Sequence, residues 1–550
     1  MKKRLLLTCL SLLLLLIITP IMVVAYLYLS ADMAMPPLTI DRHDYATRTA
    51  GDTTYCRTSY LHQDTTQLWE LYLQGSGEVR GATQGALTAS LMRYQEEVFM
   101  EQIRQLIPSE SYLSFLRVML ISFNRRLGKH IPLEYRQEIA AMAQWCTAEY
   151  NAIGTPYERQ LNYHAAHDIG HTMQQYMLVG CSSFAAWGDD TADGELWVGR
   201  NFDFYVGNDF ARNKIIFFVS PDKGYRYTSV AWAGMVGVLS GMNERGITVT
   251  INAAKGAIPT SAATPISILT RQILQYAATI DEANAIAAQH QTFVSESILI
   301  GSAAEGRAAI IEKTPKQQSL YTQEASPVRC TNHYQSAAYQ DDPYNKENIA
   351  TSDSQYRFER LSELLADTAY APLDQTAAAA ILRNRHGKGG EDIGVGNEMT
   401  INQSIAHHSV IFAPASYRMW VSTAPWQSGA MVCYDLREFF AHGTPPRRAR
   451  TDDIAADSLF MQRHYAPLLQ WRDAITNIKQ AINDGNEISP DFEQRFVALN
   501  PHHYYTHRLL GDYYAERDDE AHATTHYLRA LDCAIPYESE RQELIELTNQ

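Results

Sequence analysis

At Gly180-Cys181 the chain changes character. From Ala86 to Met177 apolar residues recur at helical spacing, with Tyr94, Val98, Ile103 and Ile107 on one face and Tyr112, Phe115, Val118 and Ile121 on the next. From Ser182 onward the apolar runs are short and cut by turn clusters: Ser182 to Trp187, the turn Asp189 to Gly194, then a return run from Leu196 to Phe204. Such a chain is neither a pure helical bundle nor a pure sheet protein. It has to join a helical segment to a strand-rich one.

The strand-rich part continues with expected strands at Ile216–Val219, Tyr225–Trp232, Met235–Leu239, Ile247–Asn252, Ser297–Gly301, Ala308–Lys313, Val410–Phe412 and Met419–Ser422. A helical pair at Ile266–Tyr276 and Ile280–His290 interrupts them. Strand runs separated by helices predict a layered α+β fold. Upstream, Leu68–Leu73 reads as a short strand, and Gly75 to Gly81 with Gly85 as a turn cluster. Residues 31–66, rich in Asp, Thr and Pro, read as a linker. The implied units are 67–180, mostly helical, 181–445, strand-rich, and 454–550, helical again. In that tail Leu510-Gly511, Tyr514, Ala523, Tyr527 and Ala530 match the spacing of one tetratricopeptide repeat. One repeat cannot bury its own face, so it is expected to pack on a neighbouring helix around Ser458–Ile482.

At the other end, Lys2, Lys3 and Arg4 precede an apolar run from Leu5 to Leu29. The run reaches the roughly 20 residues a bilayer needs and exceeds a signal core of about 7–15. Residues 1–30 therefore read as a membrane anchor, or else a signal segment, with the basic end inside and the rest outside the cytoplasm. The net charge of −15 excludes nucleic acid as a partner, because phosphate binding needs clustered positive charge. Seven cysteines leave an odd remainder once Cys9 and Cys181 are set aside, so this is no disulfide scaffold.

Cys181, in Gly180-Cys181-Ser182-Ser183-Phe184, is the candidate nucleophile. If the chain cuts itself at Gly180-Cys181, the new N-terminal residue carries both a thiol and an α-amine. The amine titrates near 7.7–8.0 (about neutral), close enough to take the thiol proton. Nucleophile and base then come from one residue, and no cofactor or metal is called for. Glycine at 180 permits the backbone geometry a strained, cleavable bond requires. Arg200 and Asp203, in Gly199-Arg200-Asn201-Phe202-Asp203, lie on the expected partner strand. An arginine there stabilises a thiolate or holds a carboxylate, and an aspartate orients an ammonium. Residues three apart on a regular strand face opposite sides, so both reach Cys181 only if the strand ends or bulges near Asn201.

These stretches, with Met242-Asn243-Glu244-Arg245-Gly246 running to Asn252, resemble the N-terminal-nucleophile cysteine hydrolases, and most of all the acyl-coenzyme A:6-aminopenicillanic acid (isopenicillin N) acyltransferase group. The resemblance implies a four-layer αββα sandwich that cuts or transfers linear amides through an acyl-enzyme. It implies Cys181 as nucleophile, Arg200 and Asp203 as its partners, and Asn252 as the oxyanion-hole asparagine. It further implies a second asparagine, Asn332, in Thr331-Asn332-His333, and a further arginine, Arg357, in Ser354-Gln355-Tyr356-Arg357. The helical stretch before Cys181 then corresponds to a pro-segment that stays on as a separate subunit. The expected substrate is a small acyl amide or an acyl-coenzyme A-like thioester, and the C-terminal helices are a candidate surface for a protein partner.

Two other readings of the chain stand beside this one. His164, His167 and His171 fall at spacings of three and four on one helix face, with Asp168 nearby, and would suit a metallohydrolase, although no glutamate base accompanies them. A membrane-anchored binding protein that uses its C-terminal helical repeat would need no active Cys181 at all.

Overall fold

The computed structural model describes residues 14–16, 18–23, 25–26, 29–30, 33–107, 109, 111–113, 123–165, 180–257 and 262–549. Strands β1 (Arg48–Ala50), β2 (Thr53–Cys56), β3 (Ser59–Gln63) and β4 (Trp69–Gly75) come first. Helices α1 (Gly77–Leu106), α2 (Leu133–Ala143) and α3 (Pro156–His164) follow. After Gly180 the chain forms β5 (Ser182–Ala186), β6 (Trp197–Phe202), β7 (Ile215–Pro221), β8 (Tyr227–Ala231), β9 (Ser240–Asn243) and β10 (Ile247–Ala253). Helices α4 (Ile266–Tyr276) and α5 (Ile280–Ala288) lead to β11 (Glu296–Ser302), β12 (Arg307–Lys313), β13 (Gln318–Tyr321) and β14 (Val328–Cys330). Next come α6 (Pro343–Thr351), α7 (Ser354–Ala366) and α8 (Gln375–Leu382), then β15 (His408–Ala413), β16 (Arg418–Ser422) and β17 (Met431–Asp435). Helix α9 (Arg437–His442) and β18 (Arg447–Arg448) precede the tail helices. These are α10 (Ser458–Arg463), α11 (Tyr465–Asp484), α12 (Pro490–Leu499), α13 (Tyr504–Ala515), α14 (Glu520–Leu531) and α15 (Glu538–Thr548).

The strands make two sheets. One has eleven strands in the order β1-β2-β3-β4-β7-β8-β9-β10-β11-β12-β13, the other seven in the order β14-β5-β6-β15-β16-β17-β18. Alternation along each strand builds the layers. In β7, Ile216 and Phe218 face the second sheet, where they meet Val198, Val410, Phe412 and Val421 in a shared core. Ile215, Phe217 and Val219 point the other way, onto a core supplied by α1, α2, α4 and α5. On the far side of the seven-stranded sheet, Phe184, Trp197, Ile411 and Trp420 pack against Leu361 and Leu364 of α7 and Ile381 and Leu382 of α8. The stack is helices, sheet, sheet, helices: the αββα sandwich, extended by a helical tail.

Three sequence expectations are corrected. The expected linker 31–66 holds residues 48–63, which are not a linker, because β1, β2 and β3 pair in sequence with β4 and form the edge of the large sheet. The cluster Gly77, Gly81 and Gly85 is not a turn but the first turns of α1. Its glycines recur every fourth residue and let α2 approach the backbone: a Cβ on Gly81 would lie 2.0 Å from the carbonyl oxygen of Glu138. Met235–Leu239 is not a strand. Gly237 rests against Ser267 of α4, and the Val238 N–H bonds to the Ser267 carbonyl, so this stretch follows a helix rather than a neighbouring strand.

Strand β4 pairs in parallel with β7, Trp69 opposite Ile215 through Gly75 opposite Pro221. The segment before Cys181 therefore shares a sheet with the segment after it. In the tail, Leu468, Trp471, Ala474 and Ile478 of α11 pack on Leu509, Leu510 and Tyr513 of α13. Gly511 gives Tyr527 of α14 its seat, since a Cβ there would sit 2.3 Å from the ring. No helix among the described residues is long and apolar enough to cross a membrane. About half of the Leu5–Leu29 run lies outside those residues.

Candidate active site

Cys181 stands one residue before β5, at the end of the inter-sheet space, fully buried. Ser182 pairs with Asn201 and Ser183 with Arg200, so the residue parity of β5 and β6 sends Cys181 and Arg200 to the same side. Arg200 Nη2 lies 3.6 Å from Cys181 Sγ. The guanidinium is held there by backbone carbonyls, Nη1 to Leu239 O at 3.1 Å and Nη2 to Ile251 O at 2.5 Å, and by the hydroxyl of Ser240. Phe202 lies against its face, 4.3 Å from the guanidinium carbon to the ring centre. Among the described residues no carboxylate is in ion-pair contact with Arg200, so its charge is available to the thiol. Burial pushes the Cys181 thiol up, and Arg200 opposes that rise.

Strand β6 ends at Phe202, and this lets Asp203 turn back toward the same end of the site. The Asp203 carbonyl accepts from the Gly180 N–H at 3.1 Å. Its carboxyl is buried, and neither oxygen has a hydrogen-bond partner among the described residues. Burial pushes that carboxyl up to about 8, against the pull of Arg357 and Arg200.

The backbone of Cys181 is gripped on both sides. Its N–H donates to Asn332 Oδ1 at 3.1 Å, and its carbonyl accepts from Arg357 Nη1 at 2.7 Å. Arg357 Nη2 also donates to Asn332 Oδ1 at 2.7 Å, and Asp353 anchors the guanidinium at 3.2 Å. Asn332 Nδ2 donates to Ala253 O at 2.8 Å, which ties the group to the end of β10. Asn252 sits one step further along. It accepts from Ser183 Oγ at 2.8 Å and donates to Cys330 O at 3.1 Å, so its amide lies beside β5 rather than on Cys181 itself. One of the two amide protons of Asn252 is left for another acceptor.

Sequence reasoning missed four contributors. Gln403, 2% exposed, has its side chain against Gly180, with Nε2 donating to Gly180 O at 3.4 Å. Asp353 anchors Arg357 from one helical turn away. Ser240 meets Arg200 and also His408 Nε2, at 2.8 Å. Gln403, Ser240 and His408 lie 40 to more than 200 positions from the residue they touch, and none of the four sits in a motif of its own.

His164 of the proposed histidine face is spent on the fold. Its Nε2 accepts from the Val236 N–H at 2.8 Å and its Nδ1 donates to Gln160 O at 2.7 Å. Burial pushes its ring down to about 4. A metal at that position would have to displace the Val236 bond. His167, Asp168 and His171 lie outside the described residues.

Comparison with known proteins adds the following. The chain is 22% identical over 411 residues to an uncharacterized protein of Archaeoglobus fulgidus, covering 65% of this chain and 64% of that one. It thus spans less than two thirds of that relative's length. Among solved structures it is similar to the Caenorhabditis elegans ortholog of N-acylethanolamine-hydrolyzing acid amidase, with 17% identity, 43% of this chain and 93% of that one covered, and a TM-score of 0.31. It is also similar to a mutant of conjugated bile acid hydrolase from Clostridium perfringens, with 12% identity, coverage of 49% and 96%, and a TM-score of 0.32. The family model for acyl-coenzyme A:6-aminopenicillanic acid acyl-transferase matches residues 190–424. That stretch holds Arg200, Asp203, Asn252, Asn332 and Arg357, and begins just after Cys181. Over residues 190–424, somewhat under half of its length, the chain is thus similar to the acyl-coenzyme A:6-aminopenicillanic acid acyl-transferase family.

Proposed function

We propose that the protein is an N-terminal-nucleophile cysteine hydrolase or acyltransferase that matures by cutting itself between Gly180 and Cys181. The observation that carries this reading is the grip on Cys181: thiol beside Arg200, N–H on Asn332, carbonyl on Arg357, all buried at one end of the sandwich. A cysteine that served only as core would not need three polar side chains, two of them buried guanidinium groups, arranged around its own atoms.

In the self-cut, Cys181 Sγ attacks the Gly180 carbonyl carbon, the C–N bond breaks, and the thiol proton ends on the Cys181 nitrogen. Water then hydrolyses the thioester and frees the thiol. In turnover the amine takes the thiol proton, the thiolate attacks the substrate carbonyl, and an acyl-thioester forms on Cys181. Arg200 favours the thiolate. Asn332 and Arg357 keep the residue in place after its peptide bond is gone. Asp203 supplies a carboxyl with no other partner among the described residues, suited to hold the new amine. The remaining N–H of Asn252 is the donor assigned to the oxyanion. Water as acceptor makes the enzyme an amidase, and an amine makes it an acyltransferase.

The substrate class that fits is a small acyl amide or an acyl-coenzyme A-like thioester with an apolar acyl part. A cavity lined by Phe99, Phe204, Phe210, Trp232 and Met235 begins one residue from Asp203. Phe99 comes from α1, before the cut, so the pro-segment helps form it. The basic-flanked apolar run Leu5–Leu29 supports an outward-facing location, held at or exported through a membrane.

The test is a denaturing gel with intact mass measurement of the purified chain. Two fragments split at Gly180–Cys181, an unbroken chain in Cys181→Ala, and a substrate-derived adduct on Cys181 are the expected results. An unbroken chain that still turns over substrate would overturn the proposal.

A further inference from the structure

The loop between α8 and β15 carries a side chain that hydrogen-bonds to the Gly180 carbonyl oxygen. Gln403 Nε2 donates to Gly180 O at 3.4 Å. The contact is close enough that a Cβ on residue 180 would lie 2.7 Å from the same nitrogen. In the self-cut proposed above, this oxygen is the atom on which negative charge develops when Cys181 Sγ attacks. A neutral amide N–H aimed at it, in a site closed to water, is what such a step requires.

What holds the loop is the C-terminal tail. Val395 N–H donates to Asn500 Oδ1 at 3.1 Å, and Asn500 Nδ2 returns a bond to Val395 O at 2.9 Å. Asn397 Nδ2 donates to Ala534 O at 3.1 Å. Arg472 of α11 donates to Ser404 O at 3.0 Å, next to Gln403, and its guanidinium lies 4.8 Å from the Trp426 ring centre. Gly394 meets the backbone of His503 so closely that a Cβ would stand 2.7 Å away. Ser404 has φ +53°, a left-handed conformation that a serine keeps only when its surroundings impose it, and the Asn402 side chain accepts from its N–H at 3.0 Å. From within the sandwich, Asn201 Nδ2 donates to Ile401 O at 2.9 Å. Gln403 is thus fixed from both sides, by β6 and by the tail helices.

We propose that Gln403 is a catalytic residue of maturation, the donor that stabilises the Gly180 oxyanion during the self-cut, and that the C-terminal helices brace its loop, with Arg472 as a positioning residue. Their repeat-like spacing then serves a contact within the chain. This rests on the self-cut proposed above and adds to it a group and a task for the tail.

The experiment follows fragment appearance at Gly180–Cys181 in the full-length chain, in Gln403→Met, Gln403→Glu, Arg472→Met and Arg472→Lys, with urea midpoints measured alongside. Loss of one oxyanion donor predicts a cut slowed about 100-fold in Gln403→Met. Gln403→Glu keeps the size and removes the N–H, and is expected to be equally slow. Arg472→Met is expected to slow the cut about tenfold, the loss of a charge-assisted hydrogen bond, with Arg472→Lys recovering most of the rate and the urea midpoint unmoved. Native-rate cutting in either Gln403 variant would overturn the assignment of Gln403. Slowing in Arg472→Met that tracks a lowered urea midpoint, with no recovery in Arg472→Lys, would overturn the brace. A native chain that is never cut would remove the underlying maturation reading instead, an outcome seen in the unmutated protein alone.

Discussion

Loss of Glu138 should cost the fold heavily. Glu138 sits on α2 with its side chain 2% exposed, 2.7 Å from Arg80 of α1 and 3.2 Å from Arg271 of α4. Both guanidinium groups are at most 1% exposed, and Glu134, 28% exposed, is the other carboxylate in reach of Arg80 at 2.9 Å. The Arg271 guanidinium carbon also lies 4.8 Å and 4.9 Å from the ring centres of Tyr135 and Tyr227. Glu138→Ala strips the shared carboxylate from two buried cations. Breaking one buried pair costs about 3–5 kcal/mol, because the remaining charge is left without compensation. Arg80 and Glu138 precede Gly180 and Arg271 follows it, so part of that cost falls on the contact between the two pieces of a cut chain. At about 1.4 kcal/mol per decade, 3–5 kcal/mol sets an upper bound of roughly two to four orders of magnitude on the weakening of their association. Urea unfolding of Glu138→Ala in an uncut Cys181→Ala background reads the stability. Where the proposed cut takes place, gel filtration of the product across a dilution series reads the association. A loss below about 1 kcal/mol, together with pieces that stay joined on dilution, would refute the reasoning.

Two further outcomes are expected. Asp203 has a folded value near 8, raised by burial above its unfolded one. Its protonated form therefore favours the native state at low pH, and that contribution is lost as pH climbs from the ordinary carboxylate range to about 8, by up to about 1.4 kcal/mol per pH unit. Urea midpoints of the uncut Cys181→Ala chain should fall over that window, and Asp203→Asn should flatten the fall. In the tail, Gly511→Ala would place a Cβ 2.3 Å from the Tyr527 ring. Overpacking of this kind costs about 1–3 kcal/mol, visible as a lowered thermal midpoint.

Much of the sandwich was legible in the sequence. Helix Ile266–Tyr276 is plain from its apolar spacing, and strand Ile247–Ala253 from its alternation, in which Ile247, Val249 and Ile251 enter the helix-side core and the polar Thr248, Thr250 and Asn252 are buried on the opposite face. The glycines of α1 misled, since their value lies in a helix contact that local composition does not reveal. Residues 31–66 misled for a related reason: β1 is exposed throughout and Cys56 is the one fully buried residue of β2, and strands at a sheet edge carry little apolar alternation. At the site, Arg200 and Asp203 were readable beside Cys181, and Asn252, Asn332 and Arg357 were named by resemblance. The structure puts Asn332 and Arg357 on the atoms of Cys181 and leaves Asn252 one strand position away. Gln403, Ser240 and His408 act through contacts spanning up to 223 residues, for which a single sequence offers no local signal.

The parallel pairing of β4 with β7 bears on how such a molecule is born. Scission at Gly180 would fall between two neighbouring strands of one ladder, after that ladder had zipped up as a single polypeptide. Unfolded by urea and then diluted, the severed product would have to find its missing half by diffusion. Its recovery would be second order and would fail in dilute solution, whereas an unsevered precursor would regain its shape at a rate indifferent to concentration.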